Sequence, residues 1–239
     1  MVAPSTYNQR LAILSSFYEY AIRADVLERN PITKVKRRKL GEKDRARALK
    51  PAQVKEGLHK IDRDTPEGLR DYALLSVALT TGHRASELAG LRLKHVHLQG
   101  ETCVVTWARC KGNEAMESTL EKATTTALYA YLTHPQVYGT GLLSAPGESP
   151  VWLSVSKRNE REAIGPRTIS NMCKEFLGSS KVHTTRHTAA VRMHHAGAKL
   201  AEIGRFLGHK NLKTTSDYMD EQLGYENKYA SDLESEFGI

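Results

Sequence analysis

The chain has 239 residues, a formal net charge of +8 and a pI near 9.3. It is long enough for a substantial core, and its charge favours a polyanion such as DNA, on which Lys and Arg displace condensed counterions. An acidic membrane surface would attract the same charge, but no apolar run approaches the roughly 20 residues that cross a bilayer, and the longest, around Tyr72 to Leu79, is interrupted by Ser76. Cys103, Cys110 and Cys173 are odd in number and widely spaced, which argues against a disulfide framework or a cysteine zinc site. With no charged-then-apolar leader pattern at the N-terminus, a cytosolic protein is expected.

Ser5-Thr6 is a good N-cap pair, and Leu11, Leu14, Phe17, Tyr18 and Ala21 follow at helical spacing. They predict a helix over 5–29, ended by Asn30-Pro31. A single helix of that length cannot bury its apolar face alone. Residues 31–50 then carry Lys34, Lys36, Arg37, Arg38, Lys39, Lys43, Arg45, Arg47 and Lys50 against only Glu42 and Asp44. Such a block repels itself when compact, so it reads as an extended linker. It is either a solvated hinge or a strap along a phosphate backbone, and the whole-chain charge favours the strap; a nuclear-localisation reading of the same block stands beside both.

Pro51 at a first helical position, with Val54, Leu58 and Ile61, starts a helix, and Leu69 to Leu79 forms a second that is nearly all apolar and therefore buried. Gly82 can take the left-handed conformation that stops this helix, presenting Arg84 where the backbone turns into a short helix carrying Glu87. Residues 102–107 are rich in β-formers and can pair with residues 116–120 across Lys111-Gly112-Asn113. Gly-Asn is a turn signal, so Lys111 sits at a hairpin tip. Next come a helix over 121–132, a surface loop over 133–150, a short buried anchor at Val151-Trp152-Leu153 and a helix over 169–177 after Gly165-Pro166.

From His183 the chain reads His183-Thr184-Thr185-Arg186-His187-Thr188, in a helix expected over 184–195 and closed by Gly197. Leu200, Ile203, Phe206 and Leu207 form the next helix, stopped at Gly208-His209, and Tyr218 lies nine residues past His209. His183 and Arg186 are three apart and share a helix face. An imidazole beside a guanidinium suits a phosphate, because Arg binds two oxygens in its planar fork and His moves a proton near neutral pH. A phenol such as Tyr218, with an ordinary pKa of about 10, needs cationic neighbours and a base before it attacks anything. Residues 221–239 hold Glu221, Glu226, Asp232, Glu234 and Glu236 against Lys228, with Leu223, Tyr225, Tyr229, Leu233 and Phe237 available for burial. This acidic tail is expected to dock, either on its own catalytic domain or on a neighbour.

The histidine, two residues, arginine, histidine pattern, then Leu207-Gly208-His209 and the tyrosine beyond, resemble the C-terminal active-site boxes of the tyrosine recombinase (phage integrase) family. The stretch Thr80-Thr81-Gly82-His83-Arg84-Ala85-Ser86-Glu87-Leu88 is similar to that family's first box, with Arg84 matching its arginine and Glu87 its acidic residue. Lys111 matches the family's mobile general acid, a hairpin lysine before a Gly-Asn turn, with Arg109 a nearby rival.

The resemblance implies a mainly α catalytic domain with a small antiparallel β-sheet (α+β) over residues 48–220. Residues 1–30 would be the C-terminal part of a helical core-binding domain, 31–47 a basic linker and 221–239 the tail. It implies a site-specific DNA recombinase or integrase that cuts and rejoins DNA through a 3′-phosphotyrosine, with no ATP, metal or other cofactor. Arg84 and Arg186 would clamp the phosphate with His209, His183 would take the proton of the nucleophile Tyr218, and Lys111 would protonate the leaving 5′ oxygen. Glu87 would orient the clamp. Lys34, Lys36, Arg37, Arg38 and Lys39 would lie on double-stranded DNA, and a dimer to tetramer would assemble there, the tail passing between protomers, in the cytoplasm at the nucleoid. Two departures stand out. Thr185 occupies a position that is usually apolar and is expected to weaken the helix's first buried contact, and the chain looks as if it starts partway through the core-binding domain.

Other classes remain in view. A DNA-binding relative that cleaves poorly fits a shortened core-binding domain, and a type IB topoisomerase shares much of the chemistry. A metalloenzyme reading rests on His183 and His187, four apart among ten histidines; the segment lacks the glutamate such sites carry and has a cation where the metal would sit.

Overall fold

The computed structural model describes residues 2–39, 48–107, 116–156 and 159–208, divided between two units, Met1–Ala46 and Arg47–Ile239. In the first, helix α1 spans Pro4–Arg23, with Ala3 as N-cap and Pro4 in the first turn, where its missing N–H costs nothing. It stops seven residues short of Asn30, earlier than the sequence predicts, because Asp25 turns the chain into a left-handed conformation at φ 55°. Asn30 then folds the chain back. Its amide donates to Glu19 Oε1 at 2.7 Å and to Ser15 Oγ at 3.0 Å, while its Oδ1 accepts from Ile32 N at 2.9 Å and starts a 3₁₀ turn, Pro31–Lys34. Ile13, Phe17 and Tyr20 stay 61–67% exposed, as a lone helix requires.

The second unit is organised around α3 (Pro66–Thr81). Thr65 caps it by accepting from Gly68 N at 3.1 Å, and Ala73, Leu74, Leu75, Val77 and Ala78 are wholly buried. The predicted preceding helix is α2, Pro51–His59. After Gly82 comes α4, Ala85–Ala89, and then a three-stranded antiparallel sheet in the order β1 (Val96–Gln99), β2 (Thr102–Trp107), β3 (Met116–Leu120). The strands β2 and β3 pair as expected, with Val105 opposite Ser118 and Trp107 opposite Met116. On β2, Cys103, Val105 and Trp107 point inward in strict alternation. The strand β1 is an addition to the sequence reading.

Helix α5 (Lys122–Leu132) packs on α3. The loop at 133–150 has more structure than expected: it contains a 3₁₀ turn, Gly139–Ser144, a buried Val137, and a bond from the Tyr138 hydroxyl to the Pro150 carbonyl at 2.7 Å. The Val151-Trp152-Leu153 anchor is buried, with Trp152 stacked on Tyr131 and Leu153 N donating to the Tyr131 hydroxyl at 2.9 Å. Helices α6 (Pro166–Leu177), α7 (His183–His195) and α8 (Leu200–Phe206) complete the described unit. Helix α7 packs on α3 and α8, and Leu49 N donates to Thr188 Oγ1 at 2.9 Å, tying the start of the unit to the same helix. No helix among the described residues is long and apolar enough to cross a membrane.

Candidate active site

Gly82 sets the site's geometry. It ends α3 at φ +63°, a conformation that side chains disfavour. The turn aims the Gly82 carbonyl at α7, where it accepts from Arg186 Nη1 at 2.9 Å. The Arg186 Nη2 donates to the carbonyl of Leu207, at the end of α8. One guanidinium, 2% exposed, thus joins the ends of α3 and α8 to the first turn of α7. Thr185 does not weaken this turn as the sequence reading expects: it is fully buried, and its hydroxyl donates to the Val182 carbonyl at 2.8 Å, so its polar atom is satisfied.

Arg84 follows Gly82 by two residues as the N-cap of α4. Its backbone N–H donates to Glu87 Oε2 at 2.7 Å and its Nη1 to Glu87 Oε1 at 2.8 Å, leaving the side chain 31% exposed over a carboxylate that is 8% exposed. His83, which sequence reasoning passed over, completes the cluster. Its Nδ1 lies 3.0 Å from Glu87 Oε2, its Nε2 lies 3.3 Å from Ser118 Oγ, and its ring stacks on Trp107 at 3.8 Å between centroids. Burial alone would raise the Glu87 pKa, but the bonds from His83 and then from the backbone and side chain of Arg84 outweigh it and hold the carboxyl at about 2. Burial lowers His83 despite Glu87, so the pair at neutral pH is a neutral imidazole on a carboxylate.

His183 begins α7 and is exposed. Desolvation, then the charges of Arg186 and Arg84, lower its pKa. The two guanidinium charges act on this imidazole in the same direction, each opposing its protonation. His187, one turn on and edge-to-face with His183 at 5.3 Å, is pushed down to about 4 by burial, then by His183 and Arg186. No group of three or more His, Cys, Asp or Glu able to hold a metal is present among the described residues.

Lys111, its rival Arg109, His209 and Tyr218 lie outside the described residues, as does the tail at 221–239. Their flanks do converge. A Cβ placed on Gly208 would fall 2.8 Å from Met116 Sδ, so the residue before His209 abuts the strand that follows the Lys111 connection. Beside Glu87 and Trp107 opens a cavity of about 550 Å³, also lined by Arg92, Lys94, His95 and Glu148, a second group that sequence reasoning did not single out. In the first unit, Lys34, Lys36, Arg37, Arg38 and Lys39 are all exposed. Arg38 is tied back to α1: its backbone exchanges two hydrogen bonds with Asn8, its Nη1 donates to the Val2 carbonyl at 3.1 Å, and its guanidinium lies over Tyr7 at 4.2 Å.

This fold is that of tyrosine recombinase catalytic domains. The Tn1549 transposon integrase in complex with transposon right-end DNA superposes with a TM-score of 0.66 at 17% identity, over 100% of this chain and 81% of that one. The XerH site-specific recombinase bound to its difH substrate gives a TM-score of 0.59 at 16% identity, over 73% of this chain and 50% of that one. Residues 47–223 match the phage integrase family, and the chain belongs to it. A tyrosine recombinase XerC from Roseiflexus castenholzii is 32% identical over 233 residues, covering 95% of this chain and 71% of the relative. This chain therefore spans about seven-tenths of that relative and half of the XerH chain. By family it is a tyrosine-type DNA recombinase.

Proposed function

We propose that this chain cuts and rejoins double-stranded DNA at specific sites through a 3′-phosphotyrosine on Tyr218, without ATP or a metal ion. The observation that carries the reading is the single guanidinium of Arg186 fixed between the carbonyls of Gly82 and Leu207, the same Gly82 whose turn presents Arg84 two residues on. A phosphodiester under in-line attack gathers charge on its two non-bridging oxygens, and cations already locked in place stabilise that charge without reorganising. In this reading Arg84 and Arg186 clamp those oxygens, and His209 adds a hydrogen bond. Losing one such donor costs about 3–4 kcal/mol, or two to three decades in rate.

His183, with its pKa lowered, is a neutral base at physiological pH and takes the phenolic proton of Tyr218. The Tyr218 oxygen bonds to phosphorus, the bond to the 5′ oxygen breaks, and Lys111 supplies that oxygen's proton. The 5′ hydroxyl of another strand then attacks the phosphotyrosine and releases Tyr218. One phosphoester replaces another at each step, so no outside energy enters. Glu87 holds Arg84 in register through the two bonds described above.

The two-unit architecture and the exposed face of α1 support reading residues 1–30 as the C-terminal part of a core-binding domain, with 31–47 as the linker and 48–220 as the catalytic domain. Lys34, Lys36, Arg37 and Lys39 would strap DNA, and the tail would link protomers of a dimer to tetramer. The relatives solved on DNA, the Tn1549 integrase and XerH, favour DNA as the partner, and a chain working on that partner would sit at the nucleoid.

The test is to incubate the chain with a nicked suicide duplex carrying its recombination site, in EDTA and without nucleotide. An adduct stable to SDS and sensitive to protease supports the reading. DNA binding with no adduct would leave a binding module, and relaxation of supercoils without strand exchange would leave a topoisomerase.

A further inference from the structure

We infer that His83 is a positioning residue: it holds Glu87, and through Glu87 the clamp arginine Arg84, in register with the β2–β3 hairpin. The inference rests on the tyrosine-nucleophile reading above and adds to it a residue which that chemistry does not itself require.

With the ring neutral, the hydrogen bonds admit one assignment. A carboxylate only accepts, so at 3.0 Å from Glu87 Oε2 the His83 Nδ1 carries the proton and donates. In a neutral ring Nε2 is then an acceptor, and the Ser118 hydroxyl donates to it across 3.3 Å. The Ser118 oxygen in turn accepts from Trp107 Nε1, an obligate donor, at 3.0 Å. Four side chains therefore form one directed chain from the indole of Trp107 to the carboxylate of Glu87, and Arg84 closes it with its backbone and Nη1 donors.

Nothing in this chain rotates freely. The ring of His83 is 3% exposed and stacks on Trp107 with 21° between planes. Trp107 and Met116, the last residue of β2 and the first of β3, face each other across the strand pair, and Ser118 follows on β3. The described network thus runs from the strands flanking residues 108–115, which include Lys111, to the arginine proposed to clamp the phosphate. The charged groups acting on His83 are Glu87, Arg186 and Arg84, all members of the site already described. Holding the ring neutral adds no further positive charge to those of Arg84 and Arg186 and keeps Nε2 able to accept from Ser118 on β3.

A group that acts through another residue should lower the rate without lowering DNA affinity. His83→Phe keeps a ring on Trp107 and removes both nitrogens, whereas the shorter amide of His83→Asn can offer an N–H where Nδ1 stands. Single-turnover cleavage of a suicide duplex should fall by about 10- to 100-fold in His83→Phe, the scale set by losing a partner that orients a reacting group. It should recover in part in His83→Asn, with salt-matched DNA binding unchanged in both. In an Arg84→Ala background, His83→Phe should add no further loss. Ring ¹⁵N shifts of the wild-type protein, with the His83 signals assigned by their loss in His83→Phe, should show the Nδ1-protonated tautomer.

The inference is overturned by wild-type cleavage in His83→Phe, by no recovery in a folded His83→Asn, by full additivity with Arg84→Ala, or by an Nε2-protonated ring. Failure of the underlying reading looks different: the wild-type chain forms no adduct, or Tyr218→Phe still forms one. The tautomer measurement judges the network in that case too.

Discussion

Arg186 Nη1 donates to the carbonyl of Gly82 at 2.9 Å across 104 residues of sequence, so the turn that presents Arg84 and the helix that presents His183 share one anchor. The anchor exists because Gly82 is left-handed: a right-handed residue would extend α3 and turn that carbonyl into the helix.

Gly82→Ala tests this relation. At φ +63° an alanine costs about 1–2 kcal/mol of backbone strain, and its Cβ would meet Phe206 Cε1 at 3.0 Å. We expect urea unfolding to show a loss of at least that size and cleavage to fall beyond what the stability change explains. Unaltered unfolding and cleavage would mean the turn does not position Arg186.

Glu87 gives a pH-dependent signature. Its folded pKa, about 2, lies below the ordinary carboxylate value, so the native state releases this proton more readily than the unfolded chain. The stability it contributes is complete above the unfolded pKa of about 4.3 and is lost as pH falls toward the folded value. Comparing wild type with Glu87→Gln by urea unfolding, the gap in stability should narrow steadily as pH drops from about 5 to about 3. A gap independent of pH would show that the carboxylate is not held ionised by His83 and Arg84.

Much of this was legible in the chain itself. Gly82 after a nearly all-apolar helix announced both a stop and the presentation of Arg84, and the β-formers of residues 102–107 announced a strand, whose inward face of Cys103, Val105 and Trp107 the structure supplies. What escaped was set by distant contacts. His83 reads as a spacer beside Arg84; its role appears only when Trp107 and Ser118, from another element, close over it. The end of α1 was missed because Asp25, with no glycine or proline nearby, supplies the left-handed turn. The strand β1 is short and mostly exposed, so it has no hydrophobic period to read and is defined by pairing with β2 alone. Thr185 looked like a flaw because its satisfied hydroxyl depends on a local carbonyl that spacing does not reveal.

Arg38 stands apart from the other basic residues of the strap. Because its guanidinium is engaged by Val2 and Tyr7, neutralising Lys36, Arg37 and Lys39 should flatten the slope of log K against log salt by up to about 0.9 per lost phosphate contact. Arg38→Ala should change that slope less and should loosen the α1 unit. Fluorescence anisotropy across a salt series separates the two outcomes; equal slopes for all variants would return the block to a solvated hinge.

Lys111 is tested by changing the leaving group. If it protonates the departing 5′ oxygen, Lys111→Ala slows cleavage by about two to four decades, and a bridging 5′ sulfur, which leaves without a proton, restores the rate. Arg84→Ala should gain much less from the same substrate. Equal rescue of both variants, or none for Lys111→Ala, would shift the role to Arg109.

The covalent link itself is the most direct measurement. The DNA adduct trapped on a suicide duplex is digested, and the peptide carrying the nucleotide is sequenced. The phosphoryl group should sit on Tyr218, and Tyr218→Phe should bind the duplex with wild-type affinity while forming no adduct. An adduct mapped to any other residue, or one that persists in Tyr218→Phe, would contradict the assignment of the nucleophile and the mechanism built on it.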